Sequence, residues 1–266
     1  MTGELGMAEI RFDDGAAYER MMGVWSRLAG DVFLDWLAPK PNLTWVDVGC
    51  GNGAFSELLV TRANAATVHG IDPSEGQLSF ARTRPGAEKM QLRQGTATEL
   101  PYGDNSVDAA TMALVLFFVP DPAKGVAEMA RVVKPGGSVS AYAWDILGGG
   151  FPQERVFNAL RAMGHPPAHP PSVEAANLDA MKSLWRGAGL TDIETRVITV
   201  ERTYDSFDDL WGTLMTSPSV KASMAKMSPA QGAELKDRCQ SAFKPDAAGR
   251  ITYPAWANAV KGKVVG

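Results

Sequence analysis

Leu43-Thr44-Trp45-Val46-Asp47-Val48-Gly49-Cys50-Gly51-Asn52-Gly53-Ala54 is the stretch that decides the fold of this 266-residue chain. The apolar run Leu43 to Val48 reads as a short buried strand, and Ala54 to Leu59 opens a helical pattern. Between them stand three glycines on alternate positions. Glycine is needed where the backbone must take a positive φ or come close to a ligand. The free N–H groups at the start of a helix favour a polar or anionic group. The whole reads as a strand, a nucleotide-type binding loop and a helix; the competing reading is a tight corner that binds nothing.

Two ligand classes fit such a loop. Gly49-x-Gly51-x-x-Ala54, with Asp72 downstream at about the ~20-residue spacing expected of a ribose contact, satisfies a dinucleotide fingerprint. Asp47, two places before the first glycine, argues against it: a carboxylate there repels a pyrophosphate and suits a cationic ligand.

Composition narrows the choice. Hydrophobic residues make up 45% and charged residues 21%, ordinary for a globular protein, and the net charge is −4 without a Lys/Arg stripe. Extensive phosphate contact with nucleic acid is therefore not expected. Cys50 and Cys239 are the only cysteines, so no disulfide framework is indicated. Met1 to Asp14 lacks an apolar signal core, and no apolar run approaches the roughly 20 residues of a bilayer span. A cytoplasmic protein with no membrane span is expected. His69, His165 and His169 share no ligand spacing with the cysteines, so no metal is expected. His165 and His169 lie in a Pro-rich loop, Gly164 to Pro171, where an inert pair outweighs a metal or pH-sensing pair.

Along the chain, Tyr18 to Leu37 has helical period, interrupted near Gly23 or Gly30. After the first strand, strands over 67–71, 90–93, 107–114 and 138–144 alternate with helices over 74–84 and 122–133. Helices over 153–163 and 178–188, a strand over 192–200, a helical stretch from Phe207 to Phe243 and a last strand over 255–265 follow. Strand–helix alternation predicts an α/β fold with a mostly parallel sheet and helices on both faces. A helical cap (1–40) precedes a main domain (41–266) that carries a helical insertion at about 206–245.

Five ordered blocks then speak together. They are the glycine loop; His69-Gly70-Ile71-Asp72-Pro73-Ser74; Gly95-Thr96-Ala97-Thr98-Glu99-Leu100-Pro101 with Asn105-Ser106-Val107-Asp108; Ala113 to Pro122; and Val133-Lys134-Pro135-Gly136-Gly137. In this order and spacing the chain resembles the small-molecule class I S-adenosylmethionine (SAM) methyltransferases, of the type that includes ubiquinone and menaquinone biosynthesis enzymes. The resemblance is strong over Trp45 to Asp145 and elsewhere extends only to layout. It implies a Rossmann-like, seven-stranded sheet whose last strand is antiparallel.

The same resemblance implies a SAM site, with S-adenosylhomocysteine (SAH) as product. Gly49, Gly51 and Gly53 would approach the methionine part of the ligand, and Asp47 would hold the loop or the ligand's amino group. Asp72 would bind the ribose, with Pro73 and Ser74 beside the adenine. Thr96 and Ala97 would flank the adenine edge, and Ala113 and Leu114 would lie along the cofactor. Two departures stand out. Many relatives carry Asp at the position of Thr96, a stronger acceptor, and often histidines where this chain has Phe117 and Phe118. They motivate an alternative, a SAM-binding regulatory or inactive protein of the same fold; an NAD-dependent oxidoreductase is the other alternative.

Methyl transfer from a sulfonium is an in-line displacement onto a small-molecule acceptor, and a Met- and aromatic-rich lid suits an apolar or aromatic one. Tyr18, Trp25, Phe117 and Trp144 are the candidate pocket residues. Tyr142, Asp145 and Tyr18 are within reach of the strand ends, but none is assigned as a general base, and Asp145 reads better as a cap. Neither the acceptor nor the oligomeric state follows from the sequence.

Overall fold

The central apolar runs pair into one sheet because they are too hydrophobic to leave either face in water. In the computed structural model, which describes residues 19–266, the strands are β1 (Thr44–Val48), β2 (Thr67–Asp72), β3 (Met90–Gln94), β4 (Val107–Ala113), β5 (Val133–Trp144), β6 (Thr191–Tyr204) and β7 (Ile251–Lys263). Their order across the sheet is β3-β2-β1-β4-β5-β7-β6. The first five are parallel, and β7 runs antiparallel to both neighbours. The seven-stranded, Rossmann-like sheet with an antiparallel last strand is the fold expected from the sequence. Chain order reverses between β1 and β4, so the crevice for a ligand opens at the carboxyl ends of these strands.

Helices cover both faces. On one, α1 (Val24–Leu37) packs against α2 (Ala54–Thr61), and Phe33 sets its ring 4.6 Å from that of Tyr142 on β5. Gly30 lies at that crossing: a Cβ there would meet Leu58 Cδ1 at 2.8 Å and Phe55 Cδ2 at 3.1 Å. The helix is therefore unbroken at Gly30; the interruption lies at Gly23, where a π-helical turn, Glu19–Gly23, gives way to α1. On the other face α6 (Leu178–Gly187) presents Trp185, which donates from Nε1 to the Val139 carbonyl at 3.0 Å. The remaining helices are α3 (Glu75–Ala81), α4 (Pro122–Val132), α5 (Glu154–Ala162), α7 (Phe207–Leu214), α8 (Pro218–Met224) and α9 (Pro229–Ala242). None among the described residues is long and apolar enough to cross a membrane.

Several boundaries differ from the sequence reading for local reasons. α3 stops at Ala81 instead of Arg84, because Pro85 disfavours helical backbone just before it. The Lys134-Pro135-Gly136-Gly137 turn is a looped-out excursion within β5, between the pairs Val107↔Val133 and Ala109↔Ser138. β7 begins at Ile251, four residues before the expected start, and runs through Pro254. Proline is tolerated there because β5 ends at the pair Trp144↔Ala257, leaving β7 laddered on one side only. The helical stretch of 207–243 is three helices, the second and third each opening with proline at the first turn; Ser228 and Gln231 form a capping box on α9.

This insertion leaves the sheet at the pair Tyr204↔Ile251. β6 runs in the direction of β1, so the insertion rises from the carboxyl edge, the edge where the glycine loop lies.

Candidate active site

The loop after β1 is left-handed at all three glycines: φ is 73° at Gly49, 52° at Gly51 and 79° at Gly53. Gly49 and Cys50 donate their N–H groups to the Ile71 carbonyl at 2.7 and 3.0 Å, which fastens the loop to the end of β2. The glycines differ in what surrounds them. A Cβ on Gly49 would meet both methyl carbons of Val115 at 2.5 and 2.6 Å, and one on Gly53 would meet Ala81 Cβ at 2.8 Å. At Gly51 nothing lies within 4 Å. Two glycines let the loop pack; the middle one borders open space.

Asp72, at the carboxyl end of β2, is buried and organises that space. Its Oδ2 accepts from Gly51 N–H at 2.9 Å and its Oδ1 from Ser74 N–H at 2.9 Å, while the Ser74 hydroxyl caps α3 by accepting from Gln77 N–H. Burial pushes the Asp72 carboxyl up, and the two backbone N–H bonds pull it partly back. Asp47, beneath the loop, is fully buried; Oδ2 accepts from the Ser56 hydroxyl at 2.6 Å, and Oδ1 has no hydrogen-bond partner among the described residues. Burial pushes Asp47 up to about 7, against the downward pull of the Ser56 bond and with a further upward push from Asp72. The Cys50 thiol is raised well above its usual range, mainly by burial and also by both carboxylates.

The raised Asp47 carries a sign. Between the unfolded value near 3.9 and the folded value the native chain binds the extra proton, so stability falls as pH rises through that window. Thermal melts of Asp47→Asn should therefore show a flatter decline between pH 4 and 8 than those of the unsubstituted protein. Parallel pH profiles for the two proteins would refute this account of Asp47.

A clamp that the sequence did not disclose holds the outer side of the loop. Arg84 has a largely buried side chain; its Nε donates to the Asn52 carbonyl at 2.5 Å and its Nη1 to Glu57 at 3.0 Å. Arg84 also pairs with Glu19 in the π-helical turn, and Asn52 Nδ2 donates to the same Glu19 oxygen at 2.9 Å. Partners 32 and 65 residues apart in sequence leave no local pattern to read.

β4 ends with Ala113 and with Leu114, a non-glycine residue at φ 63° whose N–H donates to the Tyr142 carbonyl at 2.8 Å. Strain of this kind concentrates at functional sites. Leu114 leads into Val115, the residue packed against Gly49. Thr96 and Ala97 follow β3; Thr96 is exposed, with its hydroxyl 3.4 Å from that of Thr98. Asp47, the glycines, Asp72 to Ser74, Thr96, Ala97, Ala113 and Leu114 thus all stand at the carboxyl ends of β1 to β4.

The expected pocket residues are placed otherwise. Trp25, Phe117 and Trp144 are all buried in the core. Trp25 donates to the Tyr204 hydroxyl at 3.2 Å, and Phe117 packs edge-on to Phe118, which is 36% exposed. Tyr18 lies outside the described residues. Tyr142 is buried between Phe33 and Phe55. Asp145 caps a turn: it accepts from Gly148 N–H at 3.1 Å and from Trp256 Nε1 at 3.3 Å. Among the described residues no group of three His, Cys, Asp or Glu side chains is placed to hold a metal ion.

Comparison with known proteins finds similarity to methyltransferases. Residues 46–141 match the family model of a methyltransferase domain. Demethylmenaquinone methyltransferase of Desulfitobacterium hafniense is 45% identical over 105 residues, 38% of this chain and 42% of that protein. Malonyl-(acyl-carrier protein) O-methyltransferase of Methylococcus capsulatus is 37% identical over 136 residues, 51% of this chain and 48% of that one. The chain thus spans less than half the length of these curated relatives. Among solved structures, the YcgJ protein of Bacillus subtilis superposes with a TM-score of 0.61 at 16% identity, over 90% of this chain and 98% of that one. Phosphoethanolamine N-methyltransferase 2 of Haemonchus contortus, solved with phosphomonomethylethanolamine and SAH, superposes with a TM-score of 0.60 at 19% identity, over 97% of this chain and 59% of that one. At such identities the superpositions show a shared fold.

Proposed function

We propose, from the match of residues 46–141 to the methyltransferase-domain model, that the chain is a SAM-dependent methyltransferase acting on a small molecule. The observation that carries the reading is the left-handed glycine loop tied through Gly51 N–H to the buried carboxylate of Asp72.

The residues present fit the cofactor. Gly51 borders open space where a backbone-hugging ligand needs it. Each Asp72 oxygen accepts one backbone N–H and keeps a second acceptor position for a ribose hydroxyl. The partnerless Oδ1 of Asp47 leaves a buried acceptor beneath the loop, where the ligand's amino group would bind. By the same reading Pro73, Ser74, Thr96 and Ala97 line the adenine, and Ala113 and Leu114 lie along the ligand. Bound SAM supplies an activated methyl group on a sulfonium and a neutral thioether leaving group.

The protein's own work is then binding and alignment. Asp72 fixes the ribose, the glycine loop and Leu114 fix the amino-acid end, and the acceptor enters over the carboxyl edge beside Phe118 and the insertion. Alignment alone can supply up to about 7–11 kcal/mol in favourable cases, so a general base is required only by an acceptor that arrives protonated. An apolar or aromatic acceptor is proposed from the exposed Phe118 and the Met- and aromatic-rich insertion. The names of the relatives, a demethylmenaquinone enzyme among them, support that class.

Calorimetry with SAM, SAH and NAD tests the reading. Saturable micromolar binding of both adenosyl ligands, without binding of NAD, is expected. Heat with NAD and none with SAM or SAH would refute it.

A further inference from the structure

The sheet has a second opening, at the edge opposite the glycine loop. β1 is five residues long, so at about 3.3 Å per residue its two ends lie roughly 13 Å apart. Around the amino-terminal ends of β1 and β4, the end of α1, the Lys-Pro-Gly-Gly turn and the β6–β7 pair border a half-open cavity of about 830 Å³. That volume lies within the roughly 300–1,000 Å³ of ordinary small-molecule sites.

Its lining divides by chemistry. Leu37, Leu43, Trp45 and Ile193 form an apolar wall. Trp45 itself is buried, and its Nε1 has no hydrogen-bond partner among the described residues. Four lysines, Lys40, Lys134, Lys261 and Lys263, line the cavity together with three carboxylates, Asp108, Asp192 and Glu194. Two of the lysines are already satisfied. Lys134 pairs with Asp108 at 2.6 Å; Lys261 lies 3.4 Å from Glu194 and 4.6 Å from the centre of the Trp36 ring.

The other two are exposed. Lys40 forms no ion pair among the described residues, and Lys263 makes a long bond, 3.4 Å, to the Gly136 carbonyl. With those pairs made, two ammonium groups remain against the single carboxylate of Asp192, and they stand beside a wall that attracts hydrocarbon. A cation would meet net repulsion there, and a purely polar anion would leave the apolar wall unused.

We propose that this cavity binds a small amphipathic anion, a carboxylate on an apolar chain or ring. The carboxylate pairs with Lys40 and Lys263, and the apolar body lies against the partly exposed Leu37, Leu43 and Ile193. The site is separate from the methyl-transfer centre, and its occupancy does not depend on that reading.

Calorimetry of the full chain with octanoate tests it, with octylammonium as the charge-reversed control and each titration repeated with saturating SAH. Octanoate should fill one site with the same affinity in both conditions, and octylammonium should not bind. The double variant Lys40→Gln/Lys263→Gln changes two exposed side chains and should weaken octanoate by about tenfold or more, the loss of one to two charge-assisted bonds. Ser138→Phe, which fills the cavity from β5, should abolish binding. The proposal is overturned by absence of octanoate binding, by equal binding of octylammonium, by unchanged affinity in the lysine variant, or by competition from SAH.

Discussion

Asp72→Ala should weaken SAH binding by at least about a hundredfold while leaving the chain folded. Each ribose hydroxyl that the carboxylate accepts is a hydrogen bond to a charged group, worth about 1.5–3 kcal/mol. Two such bonds amount to about 3–6 kcal/mol, and every 1.4 kcal/mol is tenfold in affinity. The substitution also frees the N–H groups of Gly51 and Ser74, so the loop loses its template as well as its ligand contact. Both N–H groups lie at the rim of the crevice, where water can replace the carboxylate, so the melting temperature should fall only modestly. Asp72→Asn keeps one carbonyl acceptor and should fall between the two proteins. Calorimetry gives the affinities and thermal melting the fold. An Asp72→Ala protein that melts normally and binds SAH as tightly as the unsubstituted chain would remove Asp72 from the site.

What the sequence disclosed and what it hid follow from the range of the interactions. The glycine loop was legible because its chemistry is local: strand, turn and helix start occupy twelve consecutive residues, and glycine is the residue that tolerates left-handed backbone. The mostly parallel sheet was legible through alternation of elements, since parallel strands require crossovers; its antiparallel last strand came only with the family resemblance. Ser56 beneath Asp47, Val115 against Gly49 and the clamp of Glu19, Asn52 and Arg84 were not legible, because each depends on which residues folding brings together. Leu114 gave no signal either, since nothing in a leucine announces a positive φ. The aromatic candidates show the opposite limit. Trp25 in the helical cap and Phe117 and Trp144 beyond strand ends read as pocket candidates, but a side chain that buries so much apolar area serves the core equally well. Sequence alone does not say on which side of a strand end such a ring falls.

Gly49→Ala and Gly51→Ala should separate the two tasks the loop performs. Both residues have left-handed backbone, which an alanine adopts at a cost of about 1–2 kcal/mol. At Gly49 the new methyl also falls 2.5 and 2.6 Å from the two methyl carbons of Val115. Overpacking of that kind adds about 1–3 kcal/mol, so Gly49→Ala should destabilise the fold by about 2–5 kcal/mol. At Gly51 no atom lies within 4 Å, and stability should fall only by the backbone share. Affinity should follow the reverse order relative to stability. The Gly51 methyl enters the space assigned to the ligand, so SAH binding should be lost from a chain that is still largely stable. Adding Val115→Ala to Gly49→Ala should recover the overpacking share and leave the backbone share in place. Urea unfolding of the four proteins, paired with SAH titration, decides the matter. If Gly51→Ala costs as much stability as Gly49→Ala and binds SAH unchanged, the open space before Gly51 holds no ligand and the loop is merely a corner of the fold.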